Sequence, residues 1–237
     1  MIVGAVGIVA GAIAAVAGFG IGSLLTPLLA LQIGTKLAVA AISIPHIIGT
    51  GLRFWLLYKH VDYRVLWSFG LMSAVGGLIG ALLNARANNP TLTLIFAALL
   101  IFAGLMGLAG LAQQMRFKGP AAWIAGTLSG IFGGLVGNQG GIRSAAMLGL
   151  GISKDAFIAT ATAIALMVDG ARMPIYLYTE ARQLWQVWPF IAVATVGVVF
   201  GTLGGGYILK RIPQAIFHRI IAAIILALGI YMFFRHR

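Results

Sequence analysis

A single arginine, Arg143, stands in an apolar run with Asn138, Gln139 and the glycines Gly133, Gly134, Gly137, Gly140 and Gly141. Its planar guanidinium offers donors in a fork that suits an oxyanion or a carboxylate. Earlier in the chain, Gly18-Phe19-Gly20-Ile21-Gly22-Ser23 repeats the glycine pattern without the charge and leads to Pro27. Glycine clusters of this kind break helices and free backbone N–H and C=O groups. If a half-helix begins just after each cluster, its unbonded amides and positive dipole end face one place. Ser23 and Ser144 would add hydroxyls there. Gly20, Gly22, Ser23, Asn138, Gln139, Gly140, Gly141, Arg143 and Ser144 then form a candidate site for a small anion. The bland alternative assigns the glycines to close helix packing and Arg143 to the carbonyls that the break leaves free.

Four further residues are candidates for gating or coupling. Asp169 and Arg172 are three apart and share a helix face, as an internal ion pair or as a proton carrier beside a substrate-binding arginine. Arg53 occupies the place in the first half that Arg172 holds in the second, and Thr50 stands where Asp169 would be. Arg53 also lies close enough to a segment end to snorkel. His46 follows Pro45 near the middle of a segment and is a structural hydrogen-bonder or a proton relay. No catalytic set is present. There is no cysteine, no HExxH and no paired membrane aspartate, so an enzyme, a metal site and a cofactor are not expected.

The elements that must position these residues are read from composition. Of 237 residues, 61% are hydrophobic and 8% charged, and the mean hydropathy is +1.03. Too little polar surface remains for a water-soluble globule, and almost any window of ~20 residues could span a bilayer. An all-α integral membrane protein follows, because the apolar runs exceed the ~10-residue alternating strands of a membrane barrel. Sixteen Lys and Arg face four carboxylates. The cations are scattered between spans, which points to lipid headgroups rather than nucleic acid. Trp55, Tyr58, Tyr63, Trp67, Tyr176, Tyr178, Trp185 and Trp188 are expected in interfacial belts.

Polar punctuation gives eight hydrophobic segments near 2–33, 37–58, 63–84, 91–112, 121–151, 156–178, 185–209 and 216–234. A straight helix over 2–33 would run roughly 48 Å, longer than the bilayer core. Segment 121–151 has the same excess, and both carry the glycine breaks. Each is predicted to be two shorter helices joined by irregular backbone. The chain also looks duplicated, as internal repeats 1–112 and 119–237 within one transmembrane domain. Thr35-Lys36 aligns with Ser153-Lys154, Gly51-Leu52-Arg53 with Gly170-Ala171-Arg172, Gly76-x-x-x-Gly80 with Gly197-x-x-x-Gly201, and Pro90 with Pro213. The repeats are parallel if the long segments cross once and inverted if they are re-entrant hairpins; the sequence leaves both open.

At the two glycine segments the chain resembles the TauE/SafE family of sulfite and organosulfur-anion exporters. Gly18-Phe19-Gly20-Ile21-Gly22-Ser23-Leu24-Leu25-Thr26-Pro27-Leu28-Leu29 is similar to the family's first motif, and Gly133-x-x-x-Gly137-Asn138-Gln139-Gly140-Gly141-Ile142-Arg143-Ser144 to its second. Ala145-Ala146 departs from it where a proline would match Pro27. The resemblance implies secondary transport of a small anion, often a sulfur oxyanion, across the cytoplasmic membrane. The partners are then the anion, the lipid bilayer and a coupling ion, with the proton as candidate; homo-oligomers remain open. The rival readings are a passive anion channel and a membrane assembly protein whose glycines only pack helices.

Overall fold

The computed structural model of the chain describes residues 2–18, 20–111, 119–138, 140, 143, 147, 152–209 and 214–235. Every regular element among them is helical. In chain order these are α1 (Ile2–Ala17), α2 (Ile21–Ile33), α3 (Thr35–Leu57), α4 (Tyr63–Arg86), α5 (Asn89–Leu108), α6 (Pro120–Val136), α7 (Lys154–Thr179), α8 (Ala181–Gln186), α9 (Trp188–Leu209) and α10 (Gln214–Arg235). One turn of α4, Leu66–Gly70, is wound as π-helix. Five of them, α3, α4, α5, α7 and α9, are long and apolar enough to cross a membrane. The chain is a multi-pass membrane protein. The π turn and the short α8 were not legible in the hydrophobic pattern, which registers apolar length and not winding.

Segment 2–33 does break, between Ala17 and Ile21. At ~1.5 Å per residue, α1 is ~24 Å long and α2 shorter still, so neither fills a ~30 Å core. A Cβ built on Gly20 would lie 2.7 Å from Ile13 Cγ2 and 3.8 Å from the Ala10 carbonyl. Ten residues along an unbroken helix span ~15 Å. The chain therefore doubles back at the break and lays the start of α2 beside α1. Gly20 makes the reversal with φ 140, a conformation that a side chain would oppose. The second long segment breaks too. Its first part, α6, ends at Val136, and Gly137 closes it in the left-handed conformation, donating to the Gly133 carbonyl at 3.0 Å. Gly140, Arg143 and Met147 are helical again.

Small residues seat these half-helices on their neighbours. Gly76 and Gly80 of α4 receive the Thr127 and Ile131 carbonyls of α6. Gly197 and Gly201 of α9 likewise receive the Gly4 and Ile8 carbonyls of α1. Both small-xxx-small motifs thus pack helices, as the sequence suggested. The contacts advance together along the chain, Gly7 to Ala194 and Gly11 to Val198, so α1 runs parallel to α9. By contrast, α3 and α7 run antiparallel. Lys36 at the start of α3 lies 3.9 Å from Glu180 at the end of α7 and donates to Ala85 O of α4 at 2.7 Å. At the opposite end, the Asp62 amide beyond α3 donates to Thr160 Oγ1 near the start of α7 at 2.8 Å.

Candidate functional site

The two breaks meet inside the bundle. A methyl group added at Gly22 would run into the Gly137 carbonyl oxygen, so the start of α2 touches the left-handed turn after α6. Across that contact Ser23 Oγ donates to Asn138 Oδ1 at 3.1 Å. Gly137 packs on Thr26 of α2 and Val39 of α3. No side chain caps the first turn of α2, which leaves a positive helix end at the meeting point. Gly20, Gly22 and Ser23 are buried there and Asn138 is half-buried; Gly140 and Arg143, further along the second segment, are buried too. Gln139, Gly141 and Ser144 lie outside the described residues.

Two arginines fasten the half-helices. Arg53 Nη1 donates to Ala14 O at 2.5 Å and Nη2 to Gly18 O at 3.4 Å, while Nε donates to Thr162 Oγ1 at 2.8 Å. It therefore joins α3, the end of α1 and α7. Arg53 is 3% exposed, which overturns the snorkelling expectation: its guanidinium satisfies carbonyls that no water reaches. Arg172 does the same for α6, with Nη1 donating to Gly133 O at 2.5 Å. The Tyr176 hydroxyl donates to Gly134 O beside it, and Asn84 Nδ2 donates to Leu135 O at 2.7 Å. A positive charge at a helix C-terminus also complements the dipole.

Asp169 links the remaining groups. Its Oδ1 accepts from Arg172, with Nη2 at 2.7 Å and Nε at 3.0 Å. Its Oδ2 lies 2.6 Å from His46 Nδ1. The internal pair expected from the spacing of Asp169 and Arg172 is present, and it extends across the bundle to α3. Asp169 is 0% exposed, a depth at which a carboxylate persists only when paired.

Arg143 behaves differently. It is 2% exposed, and its Nε and Nη1 have no hydrogen-bond partner among the described residues. It stands within electrostatic reach of Asp169 and Arg172, and Arg53 within reach of Arg143. Three guanidiniums therefore share this region with one carboxylate. Among the described residues, carbonyls at the two breaks are met by Arg53 and Arg172. Arg143 thus holds a desolvated positive charge whose Nε and Nη1 are available to donate to an anion's oxygens.

Two residues of this arrangement escaped the sequence reading. Tyr176 is not in an interfacial belt: it is fully buried and bonded to Gly134. The other seven aromatic residues of that group are exposed at the helix surface. The missed signal was periodicity, since Asp169, Arg172 and Tyr176 are spaced i, i+3, i+7 on one face. Thr162 gave no signal, because its bond to Arg53 spans 109 residues.

The family described as "Sulfite exporter TauE/SafE" matches residues 3–232. The chain belongs to that family, as the glycine motifs suggested. No curated protein matches it.

Proposed function

We propose that this protein is a secondary carrier of a small sulfur oxyanion, sulfite or a sulfonate, in the cytoplasmic membrane. The anion sits where the two breaks meet and is held by Arg143. Ser23, Asn138 and the amides opening α2 surround it, and Gln139, Gly140, Gly141 and Ser144 are the further candidates carried over from the sequence. The observation that carries this reading is buried Arg143, whose Nε and Nη1 have no hydrogen-bond partner among the described residues while Arg53 and Arg172 are committed to backbone carbonyls. Leaving a guanidinium desolvated without acceptors is costly, and a bound oxyanion removes that cost. The family's description supports export as the direction and sulfite as the first substrate to test.

The working architecture is a pair of repeats, 1–112 and 119–237, inverted in the membrane. Each comprises one re-entrant hairpin and three crossing helices. Three features support it. Arg53 and Arg172 each reach a carbonyl 39 residues earlier in the chain. The equivalent helices α3 and α7 run antiparallel. Each hairpin's first arm packs on the other half, α1 on α9 and α6 on α4. Rocking of one half against the other would then open the site to alternate sides. The burial of Arg143 and its neighbours fits the closed stage of such a cycle, which an open pore lacks. The chain Arg172–Asp169–His46 joins the halves and is the proposed coupling element, with a proton at His46.

Proteoliposomes loaded with unlabelled sulfite test the reading. Trans-acceleration of labelled sulfite uptake is expected, and Arg143→Gln should reduce flux to the level of empty vesicles. Downhill flux without trans-acceleration would favour a pore. Equal flux in wild type and Arg143→Gln would remove Arg143 from the site.

A further inference from the structure

Several hydroxyls in these helices donate one turn back, while Ser23 and Ser73 donate across helices. Ser43 donates to Val39 O at 2.7 Å, Thr93 to Asn89 O at 2.8 Å and Thr162 to Ile158 O at 2.7 Å. Thr179 and Thr195 do likewise. Thr50 does not. It is 0% exposed, and its Oγ1 has no partner among the described residues. A buried hydroxyl left unpaired is destabilising, and a carbonyl one turn back on its own helix is the usual remedy.

The position of Thr50 says what the hydroxyl faces. Val39, Ser43, His46, Thr50 and Arg53 follow the i, i+4, i+7, i+11, i+14 spacing of one helix face. Val39 packs on Gly137, His46 bonds Asp169, and Arg53 bonds Ala14 and Gly18 at the first break. Thr50 stands on this stripe between His46 and Arg53. Arg143 and Thr202 also carry buried donors without acceptors among the described residues, and of these Arg143 is within electrostatic reach of both Asp169 and Arg53. In the alignment of the halves, Thr50 replaces Asp169. A second carboxylate there would repel an anion, whereas a hydroxyl can donate to one.

We infer that the Thr50 hydroxyl is a ligand of the anion held by Arg143, donating to an oxygen that the guanidinium leaves free; this rests on the anion site proposed above. An oxyanion presents a separate oxygen to each donor, whereas a halide must accept from both on a single atom. Thr50 therefore favours oxyanions over halides.

Sulfite and chloride binding to the purified full chain in detergent tests this, by calorimetry on wild type, Thr50→Val, Thr50→Ser and Arg143→Gln. Thr50→Val should weaken sulfite binding at least about tenfold and chloride binding far less. Thr50→Ser should restore most of the affinity for sulfite. The melting temperature of Thr50→Val without anion should equal or exceed that of wild type, because an unpaired hydroxyl has been removed. If Thr50→Val does not fold, Thr50→Ala takes its place under the same criteria. Wild-type sulfite affinity in the valine variant, with affinity lost in Arg143→Gln, would overturn the Thr50 assignment and leave the site standing. Wild-type affinity in both variants, or no sulfite binding by wild type, would overturn the site and the assignment together. A lower melting temperature in the valine variant, with no rescue of binding by serine, would make Thr50 structural.

Discussion

His46 Nδ1 lies 2.6 Å from Asp169 Oδ2, a bond between α3 and α7 that spans 123 residues of sequence. It is the one histidine–carboxylate bond among the described residues. The groups facing it are Arg172 on α7 and Arg53 on α3. An unperturbed imidazole titrates near pH ~6.5, and His46 is the one histidine buried among the described residues.

Transport should therefore depend on external pH in wild type, and His46→Gln should flatten the profile while preserving a bond to Asp169. Initial sulfite uptake across a pH series checks this. An unchanged profile in His46→Gln would leave the histidine as a purely structural bond.

Arg143→Gln should keep the fold, because the Nε and Nη1 it removes make no hydrogen bond among the described residues. The anion affinity should fall about 10- to 100-fold, corresponding to the ~1.5–3 kcal/mol of a hydrogen bond to a charged group. Thermal unfolding with and without sulfite reads both effects: the melting temperature without anion holds, and the shift on adding sulfite disappears.

Arg172→Met should behave in the opposite way. It strands Asp169 with only His46 and leaves Gly133 O without its donor. Breaking a buried pair from one side costs about 3–5 kcal/mol. The double variant Asp169→Asn, Arg172→Met should recover part of that loss, and thermal unfolding of the three variants measures the coupling.

Gly22→Ala places a methyl on the Gly137 carbonyl. Overpacking of this kind costs about 1–3 kcal/mol, and here it also forces the two breaks apart, so transport should be lost. Gly51→Ala is the control. Nothing lies within 4 Å of a Cβ there, and alanine in a helix interior is favourable by roughly 0.5–1 kcal/mol. Melting temperature and uptake should separate the two substitutions.

Glu180 lies outside the spanning helices. Burial raises its carboxyl above the usual carboxylate range, and Lys36 at 3.9 Å opposes that rise. A carboxyl raised in the folded state binds a proton more tightly there than in the unfolded chain. Its contribution is most favourable in acid and is lost as pH rises through the folded value. Glu180→Gln should therefore raise the melting temperature at neutral pH and leave it unchanged in acid. A lower melting temperature at neutral pH would show that the bond to Lys36 dominates.

The sequence by itself determined the membrane, the helices and the places where they break. These follow from local chemistry: apolar length fixes what can span, and clustered glycines cannot hold a helix that nothing else supports. It also placed Asp169 and Arg172 on one face, since a spacing of three admits little else. Tertiary structure decided which arginine keeps donors without partners among the described residues. Arg53, Arg143 and Arg172 look alike as isolated cations in apolar runs. Whether each meets a carbonyl depends on where α1 and α6 end in space, 39 residues away for Arg53 and Arg172. The same holds for Tyr176, whose hydroxyl finds Gly134, and for His46, whose partner lies across the bundle. Hydrogen-bond partners at such separations are set by packing directions, and a linear pattern of residues carries no direction.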